Sequence, residues 1–582
     1  MTKTYTNRKY LDALNERVLI FDGAMGTSLQ NQHLTAEHFG GEKYVGCNDY
    51  LVLTYPEAVE KVHRSFYDVG VDVVETDTFR SNRLTLGEYG LAEKTIEMNK
   101  AAASLARRLA DEYATPEQPR FVAGSIGPTG KLPSADDPDL SDVGYDELAD
   151  IFREQAVGLL EGGADVLLIE TSQDILEVKA AIDGIQQAFA ETGLKIPIQA
   201  QITLDTTGRM LFGTDIAAAL SILEGLPIDV IGMNCSTGPE HMRQPIQFLG
   251  EHTPLPVSCI PTAGLPLNVD GEAVYPLEPE PFADALMEFV EKNNISVVGG
   301  CCGTTPAHLD ALVKKMRGKK HPPRPILSTP RLASGIRAFT MRQEPAPLII
   351  GERCNAQGSR AFKRLLLAND YDAILEVARG QVEYGAHALD ISVAVTEIED
   401  EAGLMHNVVR KLVTAGIDVP FVFDTTEPAV MEAGLKVAPG RSMLNSTHLE
   451  SGREKADIVF GLAKKYNATV LVLTIDEVGM AKTAERKLEV ARRLHGIATE
   501  EHGLKAEDLV FDDLTFTLAT GEAEYIDSAK ETIEGIKLIK KELPGVFTSL
   551  GVSNVSFGLS KAARPVINST FLYHCVQAGL DM

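Results

Sequence analysis

Short apolar runs of strand length alternate with amphipathic stretches of helical period along almost the whole chain, and the cycle is run through twice. That alternation is the pattern of parallel strands joined by crossover helices. A strand buried on both faces reads as a continuous apolar run, and the helix covering it shows one apolar stripe. In the first half the runs are Val18–Ala24, Val71–Thr78, Phe121–Gly127, Asp165–Thr171, Pro197–Thr203, Asp229–Cys235, Pro256–Pro261 and Ile295–Cys302. Helical patterns such as Pro56–Val69 and Asp146–Glu161 lie between most of them. Eight strand–helix units in roughly 300 residues predict a (β/α)8 barrel. A doubly wound sheet is disfavoured, because no Gly-x-Gly-x-x-Gly follows the first run.

The stretch Lys314–Pro347 breaks the rhythm with a lysine-rich start and several prolines, and reads as a linker ending in a new strand. The expected division is therefore a first barrel over 1–318, a linker over 319–346 and a second barrel over 347–582. The second series of runs is Pro347–Cys354, Ala388–Ser392, Pro420–Asp424, Ser442–Ser446, Val470–Asp476, Leu509–Phe516 and Val546–Asn554. A helical stretch, Pro565–Ala578, follows the seventh, and an eighth strand would begin at about Gly579. The fold expected is α/β: two consecutive TIM-type barrels, the second cut short before its last strand, as in a piece excised from something longer.

Composition narrows the partners. Lys and Arg number 55 against 82 Asp and Glu, a net charge of −27, which repels nucleic acid and anionic membrane. No run of eighteen apolar residues marks a membrane span, and the polar first ten residues lack the apolar core of a secretory signal, so the expected location is cytoplasmic. Seven cysteines in such a chain do not make a disulfide framework. Cys47, Cys259, Cys354 and Cys575 read as small buried apolar side chains.

The remaining three are different. Cys235 falls at the C-terminal end of the sixth run, and Cys301-Cys302 at the end of the eighth, where parallel barrels build their active sites. Gly299, Gly300 and Gly303 allow the sharp turn that adjacent ligands need. Vicinal cysteines buried at a glycine-rich strand end are the plain alternative. Three convergent thiolates, however, are the ligand set of a zinc ion with its fourth position open. Such a site suits the activation of a substrate thiol for alkylation.

Asp22-Gly23-Ala24-Met25-Gly26-Thr27, Glu170-Thr171, Asn234-Cys235 and Gly300-Cys301-Cys302-Gly303 resemble the motifs of the homocysteine S-methyltransferase family over residues 10–318. The resemblance implies that Cys235, Cys301 and Cys302 bind Zn2+ and that homocysteine supplies the fourth sulfur. It also implies that Asp22 and Glu170 hold the substrate's amino group, with amides near Gly23 and Ala24 close to its carboxylate.

In the second half, polar residues stand at strand ends inside apolar runs: Glu352-Arg353-Cys354-Asn355 with Gly358-Ser359-Arg360, then Asp390, Asp424, Asn445, Asp476 and Asn554. Each is either a cap for the following helix or part of a ring suited to a flat heterocycle edged with N–H and C=O groups, such as a pterin. Gly351–Asn355, Asp424–Thr426 and Gly551–Phe557 resemble the pterin-binding methyltransferase barrel. The order of the two barrels is similar to the N-terminal half of the cobalamin-dependent methionine synthases. That resemblance implies contacts to 5-methyltetrahydrofolate from Gly358, Ser359, Arg360, Asp390, Asp424, Asn445, Asp476, Asn554 and Arg564, with Asn554 nearest the methyl-bearing nitrogen and acting in catalysis. Two departures stand out. After Asp390 the chain reads Ile-Ser-Val-Ala-Val-Thr, where the family commonly carries Asn and further acids. Gly558-Leu559-Ser560 stands where it has an arginine, leaving that role to Arg564. The Asp-x-His-x-x-Gly loop that would bind cobalamin is absent from the sequence, so the resemblance implies a cobalamin-binding module elsewhere or supplied in trans. A stand-alone methyltransferase using a sulfonium or betaine donor, with a regulatory folate barrel, is the competing enzyme reading, and a zinc-stabilised binding scaffold the non-enzymatic one.

Overall fold

The computed structural model describes residues 4–269, 272–320, 325–520 and 525–582. These divide into two compact units between Ser328 and Thr329. In the first unit eight parallel strands form one sheet: β1 (Leu19–Ile20), β2 (Val73–Glu75), β3 (Phe121–Ile126), β4 (Val166–Ser172), β5 (Ile198–Ile202), β6 (Val230–Asn234), β7 (Val257–Ile260) and β8 (Ile295–Val298). β8 pairs with β1, and a parallel bridge between Phe21 and Val73 joins β1 to β2, so the ring closes. Helices including Thr95–Tyr113, Tyr145–Glu161 and Ile175–Thr192 cover it. The chain enters Ile175–Thr192 and Ile216–Leu223 through Asp174 and Asp215, whose carboxylates accept the amides of Leu176 and Ala218.

Because side chains alternate along a strand, the residues filling the interior fix which others point inward. Leu19, Phe21, Val73, Phe121, Ala123, Val166, Leu168, Val230, Ile260 and Val297 make up the packed interior. Its N-terminal end is plugged by the helix Lys9–Glu16, whose Tyr10, Ala13 and Leu14 join that core, with the Tyr10 hydroxyl donating to Gln199 Oε1 at 2.7 Å. On the same end Asp72, Asp165 and Asp229 each accept the first amides of a neighbouring strand, from Ile20, Val122 and Ile198, which ties strand entry points together.

The second unit is a parallel sheet in sequential order: β9 (Ile350–Asn355), β10 (Ala388–Ser392), β11 (Phe421–Asp424), β12 (Met443–Thr447), β13 (Thr469–Leu473), β14 (Leu509–Asp512) and β15 (Phe547–Ser549). The expected seven strands form. No eighth strand follows among the described residues; beyond β15 Asp581 and Met582 donate to Thr548 O, and the Asp581 carbonyl accepts from Leu348 just before β9. Asp581 also repeats the first barrel's device, its carboxylate accepting the Thr548 amide at 2.9 Å while pairing with Lys540.

The stretch expected as a linker, 319–346, is structured in its later part. Arg331–Ala333 and Ala338–Thr340 pair as an antiparallel hairpin, Ala333 bridges to Arg441, and Leu332 and Met341 are buried in the second barrel's core. Prolines suggested a spacer, yet apolar residues between them plug the barrel floor, the part played in the first unit by the helix Lys9–Glu16.

Candidate active sites at the two barrel mouths

In the first barrel, alternation carries the inward face one layer beyond the apolar core and turns it polar. Two residues past Phe21, Val73, Ala123 and Leu168 come Gly23, Glu75, Ser125 and Glu170; four past Val230 and Val297 come Asn234 and Cys301. Cys235 follows an inward residue and by alternation would face out. It is turned back by two successive left-handed residues, Cys235 (φ 59°) and Ser236 (φ 62°), a conformation that costs about 1–2 kcal/mol per residue. Cys301 and Cys302 are held by a glycine turn. Gly303 has φ +77°, and a Cβ there would lie 2.1 Å from Tyr275 Cγ; one on Gly300 would lie 2.4 Å from Thr304 Oγ1. Thr304 in turn donates to the Cys301 carbonyl at 2.6 Å.

The three thiols meet. Cys235 Sγ and Cys302 Sγ are 3.8 Å apart, Cys301 Sγ and Cys302 Sγ 3.9 Å, and all three lie within 4.8 Å of one another. A tetrahedral zinc with Zn–S near 2.3 Å needs sulfur edges of about 3.8 Å, so the spacing fits that ion and its soft donor preference. Hydrogen bonds from Cys235 and Cys301 draw the Cys302 thiol down from the usual thiol range. Cys47, Cys259, Cys354 and Cys575 are buried and unpaired by disulfide.

Around the thiols stand three carboxylates. Asp22 is buried, and both its oxygens face the Glu75 amide at 3.1 and 3.2 Å. Glu170 is buried and accepts from Ser125 Oγ at 2.5 Å and Asn234 Nδ2 at 3.0 Å; burial pushes it up to about 7. Asn234 also receives the Thr171 amide, which fixes the ends of β4 and β6 relative to each other. Glu75 and Tyr275 escaped the sequence reading. Glu75 was legible: it follows Val73 as Glu170 follows Leu168. Tyr275 sits beyond a short hairpin and carries no periodic signal.

The second mouth uses the same geometry. Ile350, Ala388, Val422, Met443, Leu471, Val510 and Phe547 line the interior, and two residues on come Glu352, Asp390, Asp424, Asn445, Leu473, Asp512 and Ser549. Asn355 Nδ2 bridges Asp390 and Asp424 at 2.7 Å each, and Asn445 Nδ2 reaches Asp390 at 3.5 Å. Burial, then the facing charges of Asp424 and Glu352, raise Asp390 to about 7; burial also raises Asp424 and Glu352. Asp512 was missed, although Leu509-Val-Phe-Asp512 repeats Phe421-Val-Phe-Asp424. Lys487 stiffens the turn after it by donating to the carbonyls of Asp513 and Leu514.

Other expected residues stand differently. Asp476 is buried beyond the end of β13 and is ion-paired with Arg486. Ser359 caps the helix Arg360–Leu367 by accepting the Phe362 amide, while Gly358 and Arg360 are exposed. Asn554 is exposed on the turn Val552–Ser556, and Arg564, half-buried, donates to Ser556 Oγ at 3.2 Å. No described helix is long and apolar enough to cross a membrane.

Residues 19–316 match the family described as homocysteine S-methyltransferase, and residues 351–582 that described as pterin binding enzyme. A protein named methionine synthase from Mycobacterium tuberculosis (strain ATCC 25618 / H37Rv) is 42% identical over 574 residues, covering 98% of this chain and 47% of that protein. One of the same name from Mycobacterium leprae (strain TN) is 41% identical over 583 residues, with the same coverage. The chain thus spans about half the length of the curated relatives it matches. Among solved structures, the metallated form of the homocysteine methyltransferase MmuM from Escherichia coli aligns at 23% identity and a TM-score of 0.43, over 52% of this chain and 98% of its own.

Proposed function

Because the chain belongs to the homocysteine S-methyltransferase family, we propose that its first barrel holds homocysteine at a zinc site formed by Cys235, Cys301 and Cys302, and that its second holds 5-methyltetrahydrofolate. The activity proposed is that of a methionine synthase: homocysteine is methylated with the folate's methyl group, and cobalamin, bound by another module or supplied in trans, would supply the methyl-carrier chemistry. The observation that carries this reading is the convergence of three thiols from two strand ends, with spacing suited to zinc.

Zinc in that cradle would lower the pKa of the incoming thiol and keep the resulting thiolate nucleophilic. The chain's own residues do the rest. Asp22 and Glu170 supply the negative field that holds the substrate's amino group, and the amides at Gly23 and Ala24 lie where its carboxylate would rest. In the second barrel Asp390, Asp424 and Asp512 are acceptors for the N–H edge of a pterin, Asn355 and Asn445 orient them, and Asn554 stands nearest the folate's methylated nitrogen. Gly358, Ser359, Arg360, Asp476 and Arg564 complete the folate surroundings, Asp476 through its pair with Arg486. Seven free thiols suit a reducing compartment, so the cytoplasm is the proposed location.

The test is direct. Zinc-loaded protein given homocysteine and methylcobalamin should release methionine, and 5-methyltetrahydrofolate should bind the same preparation. If no methionine forms, the homocysteine half of the proposal is wrong; if the folate does not bind, the second half is.

A further inference from the structure

In the second mouth the carboxylate of Asp512 is fastened at one oxygen only. β14 carries it inward two residues past Val510, and its Oδ1 accepts the Leu514 amide at 2.7 Å. Oδ2 makes no hydrogen bond among the described residues and is left for a ligand. Where Oδ2 points therefore depends on where the Leu514 amide is held. Leu514 has φ 56°, a left-handed backbone that is uncommon outside glycine. Such a residue persists only where its surroundings impose it.

Two side chains impose it. Lys487, fully buried on the helix Ala484–Gly496, donates to the carbonyls of Asp513 and Leu514. Thr532, on the helix Ser528–Glu542, donates to the Leu514 carbonyl at 2.9 Å. The second helix closes over the amine: a Cβ on Gly535 would lie 2.8 Å from Lys487 Cδ and 2.9 Å from Asp513 Oδ2. A neutral donor could hold two carbonyls, and burying an ammonium is costly unless charge offsets it. Here burial pushes the Lys487 amine down, and the charges of Asp513, Asp512 and Glu531 oppose that. The Asp513 carboxylate is itself fully buried, with no partner at either oxygen. The ammonium thus holds the turn and favours negative charge on the acceptor beside it.

We infer that Lys487 is a positioning residue for folate binding: it fixes the turn at Asp513 and Leu514 and so aims the free oxygen of Asp512 at the pterin's N–H edge. Being fully buried, it acts through Asp512 and not on the ligand. The inference rests on the reading that Asp512 is one of the acceptors for that edge.

The test is calorimetric titration of the full chain with 5-methyltetrahydrofolate, comparing wild type, Lys487→Met, Asp512→Asn and the double variant. Lys487→Met keeps the apolar stem and loses the ammonium. Alone, it should weaken binding about tenfold. In the Asp512→Asn background the same change should weaken binding by no more than about twofold, because the residue it acts through is already altered. A general loosening of the barrel would weaken binding in both backgrounds alike. Losses that multiply therefore overturn the inference, as does a Lys487→Met protein that binds within about twofold of wild type. If wild type does not bind the folate, or Asp512→Asn binds it as tightly as wild type, the reading of Asp512 falls and the inference with it.

Discussion

The two barrels use one device for two chemistries. In each, an apolar layer fills the interior, and the next inward layer, nearer the C-terminal strand ends, is polar. In the first, that layer and the turns above it supply three thiols beside three carboxylates, a pairing that suits a soft metal and a cationic amino acid at once. In the second it supplies carboxylates and amides with no thiol: Cys354, the cysteine on its first strand, is buried and accepts from Gln381. The floors differ as well, a helix plugging one and a hairpin the other. The lesson is that the inward layer sets what a mouth binds, while the floor needs only apolar volume.

The sharpest way to break this comparison is to remove a thiol. Cys302→Ala leaves two ligands for a site that needs three, so zinc content should fall from about one per chain to none detectable by elemental analysis. Folate binding by the same protein should stay within about twofold. A joint loss would mean that the substitution unfolds the chain, and retained zinc would mean that the cluster is not the metal site. The reciprocal change is Asp512→Asn. It should weaken 5-methyltetrahydrofolate binding by about ten- to a hundredfold, the worth of a hydrogen bond to a charged acceptor, with zinc content intact. Calorimetric titration beside metal analysis separates the two.

Much of this arrangement was legible in the sequence, and what was not has physical reasons. The strands were legible because parallel strands buried on both faces leave continuous apolar runs, and the cysteines because nothing else at a strand end explains three of them. Glu75 and Asp512 were legible in principle through the two-residue period that also places Glu170 and Asp424. They were overlooked because each lies inside a run, Val71–Thr78 and Leu509–Phe516, that was read for its apolar residues alone. Cys235 runs the other way: alternation alone would turn it outward, and only the left-handed turn at Cys235 and Ser236 brings it in. The hairpin after Ser328 was hidden by its prolines. The place of an eighth strand was legible at about Gly579; the sheet has seven strands as expected, and among the described residues beyond them only Asp581 and Met582 make backbone contacts with it.

Acidity offers a finer probe of the second mouth. Asp390 has its carboxyl raised to about 7 in the folded state, against about 3.9 in an unfolded chain. Between those values the folded protein holds the extra proton, so this group's contribution to stability is full below about pH 4 and is lost as pH rises through about 7. Asp390→Asn removes the titration yet keeps an acceptor for Asn355. It should therefore raise the second barrel's melting temperature at pH 8 and change it little at pH 4, as calorimetric melts at both values would report. A shift of equal size at the two pH values would deny Asp390 the burial-driven rise.

The smallest effect is expected at Asp476, and it sharpens the contrast between layer and periphery. Its carboxylate lies beyond the end of β13, accepts the Val478 amide at 3.1 Å and is paired with Arg486. On its own strand the inward position two residues past Leu471 belongs to Leu473, which packs against the core. Asp476→Asn keeps the backbone hydrogen bond and weakens the ion pair. It should change 5-methyltetrahydrofolate affinity by no more than about twofold, because its partners are the Val478 amide and Arg486 and lie outside the inward layer. A loss as large as that of Asp512→Asn would place Asp476 in direct contact with the pterin and would extend the binding layer past the strand ends.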